Sequence, residues 1–233
     1  MKTTLNAIRA HDLDPQGWCK LLNYLGKDEA DDEPLSILTV LDSNGLEDAL
    51  WCLRAVSGYE REIRLYAVWC ARQCQGQIQD PRSLAALDVA ERFANGEATD
   101  AELAAAWEAA CRAVGDAEYK LSRISGVGNE PSRGVVNVAR RHGGRPAGRA
   151  AYAASSATLA AAQAAREATA SDAATAAKGA AISSAISWNS ARSAAFPGAS
   201  SAAREAMTAS IGTDKPTAEL RRLCERIDGH KGV

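Results

Sequence analysis

The sequence predicts an all-α fold, a helical bundle or array that includes long alanine-rich helices. Apolar side chains recur at intervals of three and four residues through the first 124 residues, which is the period of amphipathic helices. Residues of the kinds that start and stop helices separate these stretches. Alanine, the residue with the highest helix propensity, fills 27 of the 60 positions from 150 to 209. The one strand-like pattern, VVNV at 135–138, is too short to build a sheet.

Composition divides the chain of 233 residues into three regions. We expect an N-terminal helical domain at 1–124, a basic loop rich in Gly and Arg at 125–149, and alanine-rich helices at 150–233 that pack with the N-terminal domain. Apolar residues make up 46% of the chain, which permits a core, although each alanine buries little surface. The formal charge of −2 argues against general attraction of the whole chain to nucleic acid or anionic lipid.

At the N-terminus we expect loosely ordered residues followed by one amphipathic helix that ends at Gly26. The apolar face of this helix comprises Trp18, Leu21, Leu22 and Leu25. The acidic run Asp28–Glu33 is typical of a solvated loop. Pro34 suits the first position of a helix in front of the short apolar segment Leu35–Val40. The sequence DSNG at 42–45 predicts a turn.

Two helices are predicted next, one over LEDALWCLRAV at 46–56 that ends at Gly58 and a second that begins at Glu60. The second helix has a single apolar stripe, which comprises Ile63, Ala67, Cys70, Ala71 and Cys74. We expect its arginines to point away from the centre of that stripe, namely Arg61, Arg64 and Arg72.

The clearest helix boundaries lie in the middle of the N-terminal domain. Asp80 is a good N-cap and Pro81 fits the first helical position, so a helix starts there. Asn95-Gly96 ends this helix in the left-handed manner typical of helix C-termini. Thr99 and Glu102 form a capping box that starts the next helix. All of these signals describe architecture, and none has a catalytic spacing.

The basic loop at 125–149 is the strongest functional signal in the sequence. It contains a single glutamate, Glu130, and frequent glycine and proline. Its five arginines are candidate partner-binding residues: Arg133, Arg140, Arg141, Arg145 and Arg149. A flexible cationic segment of this kind fits an acidic groove on a protein or a nucleic-acid backbone. A third interpretation is that the basic loop is a solvated linker that binds no partner.

The alanine-rich region is predicted to form helices at 147–179, 180–195 and 199–210, with breaks at Pro197-Gly198 and 212–216. Small side chains let neighbouring helices approach closely, so a tight bundle is expected. An extended helical arm that contacts a partner and a disordered low-complexity segment stay open. A final amphipathic helix is indicated by the apolar residues Leu220, Leu223, Cys224 and Ile227.

Residues that could carry chemistry are few. The three histidines lie near the chain ends or in the basic loop, at His11, His142 and His230. A Ser/His/Asp or Cys/His arrangement needs a histidine in a core cleft, so neither is expected. The glycine-rich SGVGNEPSRG at 125–134 does not have the spacing of a phosphate-binding loop. We therefore expect no enzyme, no catalytic residue and no cofactor.

The six cysteines and the lack of a secretory signal favour a reducing compartment. Cys70 and Cys74 share a helix face, but closely spaced residues to complete a metal site are missing. We therefore expect them to be buried small apolar side chains, with no metal. No segment has the roughly 18 uninterrupted apolar residues of a membrane span. The expected location is the cytoplasm, with no membrane partner.

Three tryptophans on successive helices, Trp51, Trp69 and Trp107, are expected to lie in the core rather than in a ligand site. Arg54 and Arg72 are close in sequence to two of them. Trp51, Arg54 and Arg72 could together form a Trp/Arg surface of the kind that anchors protein interfaces. They are the second group of candidate partner-binding residues.

Four segments resemble a widespread group of uncharacterised phage and prophage proteins: LDSNGLEDALWCLRAV (41–56), EIRLYAVWCARQ (62–73), DPRSLAALDVAERFANGEATDAELAAAWEAA (80–110) and TAELRRLCE (217–225). In that group an N-terminal helical block precedes alanine-rich repeats and a short terminal helix. The resemblance covers about residues 11–112 and 214–227. Between 113 and 213 the chain departs from the group's pattern, because Ser, Gly and Thr replace most of the Trp, Arg and Asp of the repeats.

The group is similar to predicted all-helical immunity proteins of bacterial toxin systems. The resemblance therefore implies a non-enzymatic phage or prophage protein that binds and inhibits a bacterial host protein, as immunity or anti-defence inhibitors do. A helical protein associated with nucleic acid through the basic loop is the alternative. A hydrolase built on a helical core is a third class. The sequence leaves open whether the chain is a monomer or a homodimer.

Overall fold

The computed structural model describes residues 1–11, 14–125, 177, 179–180 and 214–230. Eight helices and one two-stranded sheet make up the secondary structure of these residues, which confirms the all-α class. The basic loop beyond its first residue, the VVNV segment and nearly all of the predicted alanine-rich helices lie outside the described ranges.

The described helices are numbered in chain order. They are α1 (Leu5–Arg9), α2 (Pro15–Leu25), α3 (Ile37–Asn44), α4 (Leu46–Cys52), α5 (Glu60–Arg72), α6 (Pro81–Ala94), α7 (Asp100–Ser125) and α8 (Asp214–His230). The two strands of the sheet are β1 (Lys2–Thr3) and β2 (Leu35–Ser36). Short 3-10 turns follow α4 and α5, at Leu53–Ala55 and Gln75–Gln77.

The N-terminal residues are not loosely arranged, and the expectation from the sequence was wrong here. β1 pairs antiparallel with β2, which places Thr3 opposite Leu35. Met1 is fully buried, and the Thr4 hydroxyl caps α1. The arrangement depends on pairing between segments far apart in sequence, and a strand of two residues carries no local signal for it.

Two boundaries around α3 also differ from the prediction. Pro34 precedes β2 rather than starting a helix, because the Ser36 hydroxyl supplies the N-cap of α3. The turn predicted at 42–45 is mostly helical, since α3 continues to Asn44. Gly45 alone leaves the helix, with a φ of +97°, and separates α3 from α4.

Helices α2, α3 and α4 meet at a polar contact. The Asn44 side chain donates to the Gly17 carbonyl at 2.7 Å and to Asp48 Oδ2 at 2.8 Å. A Cβ atom on Gly17 would lie 2.5 Å from the same carboxylate oxygen, so this approach of α2 to α4 requires glycine unless Asp48 moves. As predicted, α2 ends at Gly26, which has a φ of +64°.

Helices α5, α6 and α7 pack in sequence order, and the predicted starts of α6 and α7 are confirmed. Asp80 caps α6 by accepting a hydrogen bond from the Arg82 N–H at 2.9 Å. The capping box of α7 is complete: the Thr99 N–H donates to Glu102 at 2.8 Å, and the Glu102 N–H donates to the Thr99 hydroxyl at 3.2 Å. The Arg82 side chain also bridges Asp80 to Asp116 on α7.

The five residues of the predicted apolar stripe are all buried in the core, but α5 ends at Arg72, so Cys74 lies in the turn after the helix. Arg64, however, does not point away from this stripe: only 3% of it is exposed, and its guanidinium lies 5.1 Å from the centre of the Phe93 ring. Arg64 stands three residues before Ala67 and seven before Ala71, so it shares their helix face. The alanines leave room for the long side chain, and the aromatic ring stacks on its planar head.

Helix α8 packs beside α3 and α5. The apolar spacing predicted its buried residues, which are Leu220, Leu223 and Cys224. The Tyr66 hydroxyl on α5 donates to the Pro216 carbonyl at 2.9 Å near the start of α8. Further along, Arg221 pairs with Asp42. At the far end the Met1 ammonium lies 2.7 Å from Asp228. The three contacts hold α8 to the N-terminal domain along its length.

Pro216 was predicted to belong to a chain break at 212–216, but it lies in the first turn of α8. Proline is tolerated there because the first N–H groups of a helix have no partner inside the helix.

From the alanine-rich region, Ala177 and Ala180 are fully buried in the same core as the N-terminal domain. Side chains this small fill space next to large ones without adding much buried area.

Candidate functional site

A groove of about 510 Å³ lies between α5 and α8. On the α5 side it is lined by Tyr59, Arg61, Glu62, Leu65, Tyr66 and Trp69. On the α8 side it is lined by Glu219, Leu223, Arg226 and Ile227. Binding sites for small molecules and for single anchoring side chains have volumes of this size, roughly 300–1,000 Å³.

Helical spacing explains why these residues share one groove. Glu219, Leu223 and Ile227 follow one another at intervals of four and therefore lie along one line of α8. Leu65 and Trp69 are related in the same way on α5, beside the stripe that enters the core. Each helix uses one face for the core and the neighbouring face for the groove.

Tyr66 and Trp69 form the aromatic part of the groove. Their ring centres are 6.4 Å apart and their planes are inclined by 22°, so the rings stack. The Tyr66 hydroxyl is engaged with the Pro216 carbonyl. Burial, followed by the neighbouring Cys70, raises the pKa of Tyr66 well above its ordinary value of 10.0. The hydroxyl therefore keeps its proton and acts as a structural link between the two helices.

The charged part of the groove holds two arginines and two glutamates. Arg61 lies 3.6 Å from Glu62 on α5, and Arg226 lies 3.8 Å from Glu219 on α8. The glutamate side chains are the deeper members of the pairs: Glu62 and Glu219 are 30% and 19% exposed, against 57% for Arg61 and 61% for Arg226. Both pairs are longer than the roughly 2.7–2.9 Å of a strong charge-assisted hydrogen bond.

The cysteines behave as the sequence predicts for Cys70 and Cys74, which are buried with free thiols. Burial raises the pKa of Cys52 and Cys70 to about 12 and that of Cys224 to about 11. Thiols with such values stay protonated at neutral pH and are poor nucleophiles and metal ligands. Across the described ranges, His, Cys, Asp and Glu side chains form no group of three or more that could hold a metal ion.

The residues of the predicted Trp/Arg surface contact other parts of the fold, and their role in partner binding stays a prediction. The indole N–H of half-buried Trp51 donates to the His11 carbonyl at 3.1 Å. The Arg54 guanidinium lies 4.0 Å from the centre of the Trp51 ring. Arg72 pairs with residues of α6, at 3.0 Å from Asp88 and also with Glu91. Trp51 and Arg54 therefore stack on each other, whereas Arg72 links α5 to α6.

The other two tryptophans were predicted to lie in the core rather than in a ligand site, and the structure agrees only in part. Trp69 and Trp107 are half-buried against the core, and Trp69 lines the groove as well. The five arginines of the basic loop lie outside the described residues, as does His142. Their role as partner-binding residues stays a prediction.

Sequence reasoning missed the groove. The available signal was a second set of large apolar residues on α5, Leu65, Tyr66 and Trp69, next to the stripe that enters the core. The partner helix was unknown, because α8 is separated from α5 by more than a hundred residues along the chain. Within the described ranges, no helix combines the length and the apolar character that a transmembrane span requires.

No protein-family model, curated protein or solved structure matches the chain. The resemblance of the four quoted segments to phage and prophage proteins therefore stays a prediction.

Proposed function

We propose that the chain is a non-enzymatic binding protein that holds a segment of a bacterial protein in the α5–α8 groove and inhibits that protein. The observation that carries the proposal is the groove itself, in which the stacked rings of Tyr66 and Trp69 lie beside aliphatic and charged side chains. Interfaces between proteins combine aromatic anchors at the centre with a charged rim in this way.

The chemistry of the described residues supports binding rather than catalysis. The Tyr66 hydroxyl at the groove and the buried thiols of Cys70 and Cys224 keep their protons at neutral pH. An activated nucleophile needs a lowered pKa or an adjacent base. Six free cysteines fit a reducing environment, and we place the protein in the bacterial cytoplasm, where its partner would be found.

Affinity capture from a bacterial lysate tests the proposal. Leu65→Glu puts a charge on the half-buried apolar wall of the groove, whereas Tyr24→Glu replaces another large side chain, on α2, that is 59% exposed. We expect a protein retained by the wild type and by Tyr24→Glu to be lost with Leu65→Glu. Equal retention by all three would contradict docking in the groove.

Inhibition is a separate step of the same test. The captured protein, once purified, is assayed alone and with the wild type, the groove variant and the control variant. The proposal expects its activity to fall with the wild type and with Tyr24→Glu, and to be unaffected by Leu65→Glu. Undiminished activity in every mixture would leave a binding protein that is not an inhibitor and would overturn that part of the proposal.

The arginines of the basic loop favour a second candidate, association with nucleic acid. A protein held by phosphate contacts loses affinity steeply with salt, with a log–log slope of about −0.9 per phosphate neutralised. Replacing Arg140, Arg141 and Arg145 together with Ala should leave the melting temperature nearly unchanged and reduce that slope. Capture that survives nuclease treatment and depends on Leu65 would count against nucleic acid.

A further inference from the structure

We propose that the α5–α8 groove accepts a positively charged side chain, arginine or lysine, of the bound partner. This inference rests on the proposed function, because it names the chemical group that the groove recognises. It comes from the juxtaposition of two partly buried glutamates with three aromatic rings around one volume.

The difference in exposure between the glutamates and the arginines affects the electrostatic potential inside the groove. Glu62 and Glu219 line the groove and are less exposed than the arginines paired with them, so water screens the carboxylate charges less. The side chains of Arg61 and Arg226 are more than half exposed, so their charges are screened more. Charges that are partly withdrawn from water interact more strongly than exposed ones. The interior of the groove is therefore more attractive to a cation than the net charge of its lining indicates.

The aromatic rings favour the same kind of ligand. Tyr59, Tyr66 and Trp69 line the volume together with the two glutamates. An ammonium or guanidinium group over an aromatic face is attracted by the ring quadrupole, and Trp is the best such surface. Tyr66 is neutral at physiological pH, as a phenol ordinarily is, so it adds a ring and no competing charge. The aliphatic part of an arginine or lysine would pack on Leu65 and Leu223.

The resident arginines do not close the site to another cation. Glu219 lies 3.4 Å from Arg222 and 3.8 Å from Arg226, and Glu62 lies 3.6 Å from Arg61. The arginine of each pair is more than half exposed and the distances are long, so these pairs are weak and exchanging one for a pair with the ligand costs little. Arg226 acts as a competitor for the carboxylate that the incoming side chain would use.

Capped pentapeptides provide the probe. Three peptides, Ac-Gly-Gly-X-Gly-Gly-NH2 with X as Arg, Leu or Glu, are titrated into the full chain while the indole N–H signal of Trp69 is followed by NMR. The Trp69→Phe variant assigns that signal. The Arg peptide should shift it saturably, and the Leu and Glu peptides should do so much more weakly. A Glu or Leu peptide that binds as well as the Arg peptide would overturn the inference, as would an unmoved Trp69 signal.

Three substitutions then test the sign of the interaction. Glu62→Gln and Glu219→Gln should each weaken the Arg peptide by about threefold to fivefold, the effect of one exposed ion pair. Arg226→Gln should strengthen it by a similar factor, because the competitor is removed. If the groove binds anions, each of the three substitutions should change the affinity for the Arg peptide in the opposite direction, and that result would refute a cation site. Unchanged far-UV circular dichroism and melting temperature show that each variant is folded.

The two proposals fail in different ways. Partner capture that depends on Leu65 but is unaffected by Glu62→Gln and Glu219→Gln would refute the cation site and leave the binding function in place. Binding of the Arg peptide without any captured and inhibited protein would support the site chemistry and refute the proposed inhibitor function.

Discussion

Arg64 is the least expected residue of the core, a cation that is 97% withdrawn from water on the helix that also forms one wall of the groove. Its head stacks on Phe93, and its stem occupies the space beside two alanines of α5. Lys or Met would fill part of the volume, but neither has a planar charged group to place on the ring. The residue therefore ties α5 to α6 in a way that a simple apolar side chain would not.

Truncating Arg64 should cost far more stability than truncating a neighbouring arginine. Arg64→Ala removes buried packing and leaves a cavity, so we expect the free energy of unfolding to fall by about 2–4 kcal/mol. Arg61→Ala, at a position that is more than half exposed, should remain close to the wild type. Urea denaturation with a common m-value measures both. Equal midpoints for the two variants would show that Arg64 is not a core residue.

Truncation of Ser83 should raise stability, in contrast to truncation of Arg64, because the buried Ser83 hydroxyl makes no stabilising hydrogen bond. Ser83 is fully buried, and its hydroxyl has no hydrogen-bond partner among the described residues. Ser83→Ala removes this unsatisfied group and should raise the free energy of unfolding by about 1 kcal/mol.

The control for this substitution is Ser43→Ala. The Ser43 hydroxyl lies 2.8 Å from Asn44 Oδ1 and 3.3 Å from the Val40 carbonyl, so its loss should lower stability by about 1 kcal/mol. Thermal and urea unfolding of both variants give the comparison. A loss of stability in Ser83→Ala as large as that in Ser43→Ala would mean that the Ser83 hydroxyl has a partner.

Because several thiols are buried, we predict that the free energy of unfolding falls in alkaline solution. The pKa of Cys52 and Cys70 rises from 9.0 to about 12 in the folded state, and that of Cys224 to about 11. A folded-state pKa above the unfolded value means that the stabilisation is complete below pH 9 and is lost as the pH rises towards 11–12. Tyr66, whose pKa is also raised, acts in the same direction.

Urea midpoints measured between pH 7 and pH 11 check this prediction. We expect a flat region below about pH 8.5 and a decline above it. Cys70→Ala should decline less steeply than the wild type, because one of the titrating groups is gone. A midpoint that rises above pH 9 would contradict the burial of these thiols.

At the scale of single elements, the connection between α6 and α7 is specified locally. The Thr99 hydroxyl and the Glu102 carboxylate each satisfy a backbone N–H of the other residue. Thr99→Ala should therefore lower the free energy of unfolding by about 1 kcal/mol. Thr99→Ser keeps the hydroxyl and should stay close to the wild type. Equal losses in both variants, measured by thermal unfolding, would indicate that packing of the Thr99 methyl group matters more than the cap.

Local signals of this kind explain how much of the fold the sequence predicts. The end of α2 at Gly26 and the start of α6 at Asp80 depend on neighbours within four residues, and both were predicted correctly. The strand pairing of Thr3 with Leu35 and the burial of Arg64 depend on contacts with other elements. A hydrophobic pattern along one segment contains no information about such contacts, so these features were missed.

The same distinction between local sequence signals and contacts between distant elements applies to the candidate binding residues. Trp51 and Arg54 were chosen as a recognition surface because aromatic and arginine residues often anchor interfaces. In the fold the Trp51 indole donates to the His11 carbonyl, in the turn after α1, and the Arg54 guanidinium lies over the Trp51 ring. The groove forms only where α8 packs against α5, since four of its ten lining residues come from beyond residue 213.

At the scale of the whole molecule, the described C-terminal helix belongs to the N-terminal domain. Helix α8 buries Leu220 and Cys224 in the same core as α5, and the Met1 ammonium reaches Asp228. The chain therefore returns to its starting domain after the alanine-rich region. The groove exists only while α8 is docked, so binding and the stability of that docking are expected to change together.

Amide hydrogen exchange of the full chain, followed by mass spectrometry, tests the docking of α8 most directly. The account predicts that amides of α8 around Leu220–Cys224 are protected to a similar degree as those of α5 around Ile63–Cys70, because both lie in one core. It further predicts that Leu220→Asp exposes α8 and removes the groove. Free exchange of α8 in the wild type, beside a well-protected α5, would contradict the docking and with it the binding site.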